Sequence, residues 1–363
     1  MRFRELEYMT WAKTMPAAEI NLARSGIEHC PASLLGVRSG DLVVNLPVRW
    51  GYRPLVEAIA ARYRVAADRV FTVSGGTSLA DWLACAAVLD GQPSSAEVIV
   101  ERPAYEPLLR IPQSFGVRIR RLERRFEDAW AVDLDRFASL ITSRTRLAIV
   151  SNLHNPTGAR IPLTTLSRMA ALLDRVGARL LVDEVYLECT FDRRTRSSVH
   201  AGPNVVTANS LTKAYGLDGL RAGWLLGPPD VIRRAALIHD MLGNNGVAPG
   251  EQLELAAFRR LDAISRRSHR ILDPNLAHVR RFLAGERRLE AVVPQGGNVV
   301  FPRLPRELDA DRLAEHLLTR YSTLVVPGRF FEAPRHVRFS FGMRTPLLLK
   351  GLRRISRALD DLC

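Results

Sequence analysis

The sequence predicts an α/β protein, with a large lobe on a mostly parallel, doubly wound sheet and a second, smaller α+β lobe. Three observations carry this expectation. Seven short apolar runs alternate with helix-period segments between about residues 40 and 265, the rhythm of strands laid parallel by helical crossovers. Several runs, such as those in RLAIVSN (146–152) and RLLVDEV (179–185), are continuously apolar rather than alternating, as expected of strands covered on both faces. Finally, 363 residues exceed what one hydrophobic core usually serves, so two lobes are expected.

In chain order the strand runs are RVFTVS (69–74), AEVIVE (96–101), VRIRRLE (117–123), RLAIVSN, RLLVDEV, NVVTANS (204–210) and AGWLLG (222–227). Helical patterns fill the gaps in SLADWLACAAVLD, LDRFASLI, LTTLSRMAALLDRVG and PPDVIRRAALIHDML. A long polar-faced helical stretch, DPNLAHVRRFLAGERRLE (273–290), opens the smaller lobe. Short strands in GGNVVFPRL and HVRFSFG follow, separated by a helix in RELDADRLAEHLLTRY. The first 35 residues show no such period and are expected to be irregular and to fold onto one of the lobes. The expected division is residues 36–270 for the large lobe, and 1–35 with 271–363 for the small one.

Composition narrows the classes of function. No apolar run is long enough to span a bilayer, and the N-terminus MRFRELEYMTWAK has no apolar signal core, so a cytoplasmic protein is expected. Cys30, Cys85, Cys189 and Cys363 are scattered, with no Cys-x-x-Cys or Cys/His spacing; neither a disulfide framework nor a metal site is expected. The net charge of +14 raises the question of nucleic acid, but the Arg residues are spread along the chain. Their small clusters, at 118–125, 193–196, 259–270, 280–288 and 351–357, form no basic tail. No nucleic-acid partner is expected, and attraction for small anions is the better reading.

One residue choice stands out. The chain has 52 Lys plus Arg, yet only Lys13, Lys213 and Lys350 are Lys. Lys213 lies in ANSLTKAYGLDGLRAGW (208–224). Arg is never deprotonated, whereas a Lys amine can serve as nucleophile or base. In open α/β sheets ligands gather outside the carboxyl ends of the strands. Five strand ends here carry Gly75-Gly76-Thr77, Tyr105, Asn155 in His-Asn-Pro-Thr-Gly, Asp183 with Tyr186, and Ser210 ahead of Lys213. Each has a plain alternative: Gly75-Gly76-Thr77 a tight turn, Asn155 a β-turn, Asp183 a helix cap, Tyr105 a packed ring. Together they offer a phosphate-friendly turn, an amide, a carboxylate, an aromatic ring and an amine.

These pieces, in this order, resemble the class I/II aminotransferases of the fold-type I pyridoxal 5′-phosphate (PLP) enzymes. The match rests on SGGTSLA, ERPAYEP, NLHNPTG, LLVDEVY, NSLTKAYGLDGLRAGW, PGRFF and VRFSFG, and runs from about residue 20 to the C-terminus. The resemblance implies that Lys213 is catalytic: it would hold the cofactor aldehyde as a Schiff base and then move the substrate α-proton. Asp183 would pair with the ring nitrogen, Asn155 and Tyr186 with the ring oxygen, and Tyr105 would stack on the ring. Gly75, Gly76, Thr77, Ser210 and Arg221 would hold the phosphate. Arg338 would grip the substrate carboxylate, with Asn155 beside it, and Gly26 in INLARSGIE would lie near the substrate.

The resemblance further implies a homodimer with its active site at the interface, acting on an α-amino acid and a 2-oxo acid. One position departs from the pattern. Many relatives carry a Tyr five residues before the glycine that is Gly51 here; it reaches the neighbour's phosphate, and this chain has Leu46 there. Trp50 or Tyr52 could stand in. The expected reaction is transamination; decarboxylation, lyase, cyclase and oxidase outcomes use the same fold. A non-catalytic PLP-binding regulator would need a DNA-binding segment, and none of that size precedes residue 20.

Overall fold

The computed structural model describes residues 3–46, 48–190 and 196–363; Arg193 and Arg194 of the 193–196 cluster lie outside them. The chain runs α1 (Glu7–Thr14), β1 (Ile20–Asn21), α2 (Arg53–Tyr63), β2 (Val70–Ser74), α3 (Thr77–Leu89), β3 (Glu97–Arg102), α4 (Glu106–Ser114), β4 (Arg118–Glu123) and α5 (Leu134–Leu140). It continues with β5 (Thr145–Ser151), α6 (Leu163–Asp174), β6 (Arg179–Asp183), β7 (Val205–Ser210), β8 (Ala222–Leu226), α7 (Pro229–Leu242), α8 (Ala248–Arg259) and α9 (Leu261–Gly285). Last come β9 (Val299–Val300), α10 (Ala310–Tyr321), β10 (Thr323–Leu324), β11 (Val326–Pro327), β12 (Val337–Ser340) and α11 (Thr345–Leu362).

All seven runs read as strands between residues 69 and 227 join one sheet, in the order β2-β8-β7-β6-β5-β3-β4. Every pairing is parallel except those of β8, which is antiparallel to β2 and β7. The continuous apolar runs have a simple cause. In β3, Val98 and Val100 enter the core under α3 and α7, while Ile99 between them enters the core under α5 and α6. In β5, Leu147 and Ile149 take the first face, and Ala148 and Val150 the second. With a period of two and both faces covered, every position must be apolar.

The order also sets where a ligand can sit. β3 has β4 on one side and β5 on the other, so the crossovers leaving it diverge and open a crevice at the carboxyl ends. The turns after β3, β5, β6 and β7 carry Tyr105, Asn155, Asp183 with Tyr186, and Lys213 to that crevice.

Two expectations need correction. The first 35 residues are not irregular throughout: they contain α1, and β1 pairs in parallel with β10. The first turn of α1 is held from outside, because the Glu106 carboxylate accepts from the backbone N–H of Glu7 at 3.2 Å and of Tyr8 at 2.8 Å. A helix capped by a residue this distant carries no local start signal. The long helix read at 273–290 begins earlier, at Leu261, and ends at Gly285. Its buried stripe of Leu261, Ile264, Ser268, Leu272, Asn275, Leu276 and Val279 follows the 3–4 spacing of a core-facing helix, with two polar members that blurred it. A three-stranded sheet, β11-β12-β9, lies beyond it. No helix among the described residues is long and apolar enough to cross a membrane. All four cysteines are free.

Trp224 of β8 is fully buried, with ring neighbours Tyr63 at 6.0 Å and Phe258 at 5.1 Å. It ties the sheet to the packing of α2 and α8. Trp224→Ala should destabilise the fold by about 3–5 kcal/mol, read as a lowered denaturation midpoint; an unchanged midpoint would refute this packing role.

Candidate active site

Lys213 sits in the turn after β7, and its Nζ donates to Ser25 Oγ at 2.6 Å. Burial is the main reason its amine is pushed down to about 8, with the guanidiniums of Arg338 and Arg221 adding repulsion and Asp218 and Asp183 opposing. Near neutral pH such an amine is accessible as a free base. Asp183 ends β6 and lies within the same crevice. One carboxylate oxygen accepts from Val185 N–H at 2.9 Å. Burial pushes Asp183 up to about 7, the Val185 N–H and Lys213 pull it down, and the charge of Glu101 adds to the rise. A carboxylate so placed lacks a cation of its own, and a protonated ring nitrogen would supply one.

At the other end of the crevice α3 starts at Gly76, whose φ of +70° is costly for a residue with a side chain. Thr77 Oγ1 donates to Ser210 Oγ at 2.7 Å, and Ser210 Oγ is 2.7 Å from Thr212 Oγ1. Arg221 reaches in and donates to the Gly75 carbonyl at 2.7 Å. Three hydroxyls, a guanidinium and a helix N-terminus converge there without a carboxylate to neutralise them, which is the donor set an anion requires.

Arg338 of β12 is buried. It donates to Asn155 Oδ1 at 3.1 Å, to Tyr8 Oη at 2.8 Å and to the Ala23 carbonyl at 3.2 Å. Its Nε has no partner among the described residues, so one buried donor is left for an incoming anion. Tyr186 donates to the Ser25 carbonyl at 2.9 Å. Tyr105 lines the cavity, with Oη 3.5 Å from Met9 Sδ.

The structure therefore brings Thr77, Tyr105, Asn155, Asp183, Tyr186, Lys213, Arg221 and Arg338 around one cavity of about 180 Å³. Ser210 lies directly behind it and Gly75 backs Arg221. Gly26 follows the lining residue Ser25 and packs toward the Thr212 carbonyl rather than lining the cavity itself. A roomier surface hollow of about 540 Å³ along residues 113–119 is lined by Arg4 and Arg110, with neither a Lys nor a carboxylate in its lining.

Sequence reasoning missed Tyr8, Met9, Ser25, Ser78, Val185, Thr212 and Asp218, which also line the cavity. Tyr8 and Met9 arrive on α1, which gave no signal of its own. Beneath the cavity, Glu101 and Arg124 form a fully buried ion pair at 2.8 Å. Glu101 also accepts from Ser151 N–H and Oγ–H, both at 2.6 Å. His154 is buried between the Pro103 carbonyl at 2.9 Å and Thr157 Oγ1 at 2.7 Å, and burial keeps it neutral; it is a structural residue. Asp81 of α3 is buried with both oxygens unpartnered. Burial, and then the charge of Asp183, push its carboxyl well above the usual range. Among the described residues no cluster of ligating side chains fits a metal ion.

These donors fit a phosphorylated, cationic aromatic aldehyde: an anion cup at one end, a carboxylate in need of a cation deeper in, and a free amine between them. Comparison with known proteins agrees. The profile described as "Aminotransferase class I and II" matches residues 45–355, and the chain belongs to that family. It has the fold-type I architecture, and its cofactor is pyridoxal 5′-phosphate. It is 33% identical over 337 residues to capreomycidine synthase of Streptomyces vinaceus, covering 90% of this chain and 84% of that one. It is 29% identical to an arginine–pyruvate transaminase of Pseudomonas aeruginosa, over 86% of this chain and 81% of that one. The crystal structure of a PLP-dependent cyclase, OrfR, superposes with a TM-score of 0.90 at 26% identity, over 100% of this chain and 99% of that one.

Two measurements test this electrostatic description. In cofactor-free protein, acylation of Lys213 mapped by peptide mass should rise with a midpoint near pH 8, because only the unprotonated amine reacts; a midpoint near 10.5 would refute the depressed value. For Asp81, the folded chain holds the proton more tightly than the unfolded chain. Its contribution to stability is therefore complete below the unfolded value and is lost as pH rises. Relative to Asp81→Asn, wild-type stability should fall above pH ~4 by about 1.4 kcal/mol per pH unit until the folded-state pKa is passed. Parallel pH–stability curves for the two proteins would contradict it.

Proposed function

We propose that this protein is an aminotransferase that moves an amino group between an α-amino acid and a 2-oxo acid. One observation carries the reading: a Lys amine with a depressed pKa faces the same small cavity as a carboxylate awaiting a cation and a buried guanidinium with a free donor. Lys213 would hold the cofactor, and its amine, unprotonated near neutral pH, would serve as the base toward the proton on the substrate's α-carbon. Arg338 binds the substrate carboxylate, steadied by Asn155 and Tyr8. Gly75, Gly76, Thr77, Ser210 and Arg221 would hold the phosphate, Asp183 would pair with the ring nitrogen, Asn155 and Tyr186 would hydrogen-bond the ring oxygen, and Tyr105 would pack on the ring. The bound cofactor supplies the electron sink that no side chain offers.

In this reading residues 36–270 form the cofactor-binding domain, and 1–35 with 271–363 the small domain. The active unit is a homodimer. Exposed apolar side chains at Val43, Val44, Trp50, Leu237, Met241, Leu242 and Val247 support this, since a patch of this kind is usually covered. A second reading, in which the same site cyclises its substrate, draws support from the similarity to capreomycidine synthase and to OrfR.

The two readings separate in a single half reaction. Holo-protein mixed with one amino acid at a time should release one 2-oxo acid per subunit, without ammonia or carbon dioxide. Substrate consumed with no 2-oxo acid formed would favour the cyclase. Lys213→Ala should lower the rate by about 10²–10⁴-fold; full turnover by this variant would refute the role given to Lys213.

A further inference from the structure

We propose that the site is built for an α-amino acid whose side chain carries a positive charge, and that Asp218 receives that charge. This rests on the aminotransferase-family reading above, of either outcome, and adds the substrate class. Five ionisable side chains other than tyrosine line the cavity: Asp183, Lys213, Asp218, Arg221 and Arg338. Four have duties toward the cofactor or the α-carboxylate that every substrate shares. Asp218 has none, so the one charge left to meet a variable side chain is negative.

The geometry keeps that charge available. Asp218 opens a short turn, Asp218–Leu220, at the cavity mouth and is about half exposed. One carboxylate oxygen lies 3.2 Å from His29 Nδ1, and the opposite ring nitrogen of His29 lies 2.8 Å from Arg24 Nη2. A guanidinium can only donate, so His29 Nε2 must accept from Arg24 and Nδ1–H must donate to Asp218. The ring thus gives one Asp218 oxygen a fixed donor, while its other nitrogen is taken by Arg24. The second oxygen has no partner among the described residues.

The other cations nearby are turned elsewhere. Arg24 reaches Asp218 only through the ring. Arg221 is directed at the Gly75 carbonyl. Arg267, on α9, is hooked to the carbonyls of Glu28 and His29 at 3.0 and 2.6 Å. The tyrosines lining the cavity add ring faces that suit a cation, and an acidic substrate side chain would instead meet Asp218 with like charge.

The test uses cofactor-loaded protein with L-arginine, L-lysine and L-citrulline, the last an uncharged analogue of arginine of nearly the same shape. Half-reaction kcat and KM are measured for each. In parallel, calorimetry follows binding of 5-guanidinopentanoate and 5-ureidopentanoate, which lack the reacting amino group. Arginine, lysine or both should exceed citrulline in kcat/KM by about tenfold, the worth of one charge-assisted hydrogen bond. The difference should lie in KM, and the guanidino acid should bind more tightly than the ureido acid. Asp218→Asn should bring each ratio close to one, and Asp218→Glu, which restores the charge, should keep a preference for the cation. Equal or better use of citrulline by the wild type, or ratios that survive Asp218→Asn, would overturn the proposal. Borohydride reduction and peptide mapping keep the two levels apart. Cofactor mass found on Lys213 together with indifference to charge sinks only the role of Asp218; no cofactor at Lys213 sinks the reading beneath it as well.

Discussion

The site depends on one constraint: charges are gathered where water has largely been excluded, and none is given its own counter-ion. Lys213 and Asp183 share a crevice but are not paired as a salt bridge; the amine donates to Ser25 and the carboxylate accepts from a backbone N–H. Had the two met directly, each would have held the other charged. Kept apart, the amine falls to about 8 and the carboxyl rises to about 7. The amine then titrates near neutrality, where a base that must gain and lose a proton is most useful, while the carboxyl is left without a cation of its own. The same logic leaves Arg338 with a free Nε and Arg221 with a carbonyl rather than a carboxylate for company.

Holding unsatisfied charge in place requires a rigid support, and the sheet supplies it. Beneath the crevice, the Glu101–Arg124 pair is satisfied almost completely, with Ser151 giving two further donors to Glu101 and the Trp130 carbonyl accepting from Arg124. Removing either member would leave the other buried and unpaired, a loss of about 3–5 kcal/mol. His154 cross-links the turns after β3 and β5 in the same way. Asp81 differs: among the described residues neither of its oxygens has a partner, and burial with the nearby charge of Asp183 raises its pKa well above the usual carboxylate range.

How much of this could be read from the chain follows from the range of the interactions. The seven strands of the large sheet were legible because burial on both faces writes a continuous apolar run into a short window. Many of the cavity-lining residues were legible because a parallel sheet delivers successive strand ends to one place, so Tyr105, Asn155, Asp183 and Lys213 could be found by looking just past each run. The residues that were missed come from contacts the window cannot hold. Tyr8 touches Arg338 across 330 positions, Ser25 touches Lys213 across 188, and His29 touches Asp218 across 189. The N-terminal helix has its cap on α4, 98 positions away from Tyr8, so nothing beside it in the sequence announces it. Polar Ser268 on the buried face of α9 hid its first turns, because it satisfies the Ala214 carbonyl, a partner the sequence does not identify.

Those long-range contacts share one origin. Each brings residues 8–29 against a charged side chain of the cavity: Tyr8 on Arg338, Ser25 on Lys213, His29 on Asp218. The segment itself is anchored at its start, where the backbone N–H groups of Glu7 and Tyr8 donate to the Glu106 carboxylate, and again further on, where β1 pairs with β10. It therefore acts as a wall whose polar groups are set by the rest of the fold, while the sheet behind it sets the reactive groups. The charged groups of the cavity are thus engaged from both sides, by the wall at Lys213, Arg338 and Asp218 and by the elements that carry them. This division explains why the chemistry of the site is readable from strand ends while the contacts that set its charged groups are not: the wall is assembled only when the two ends of the chain have met.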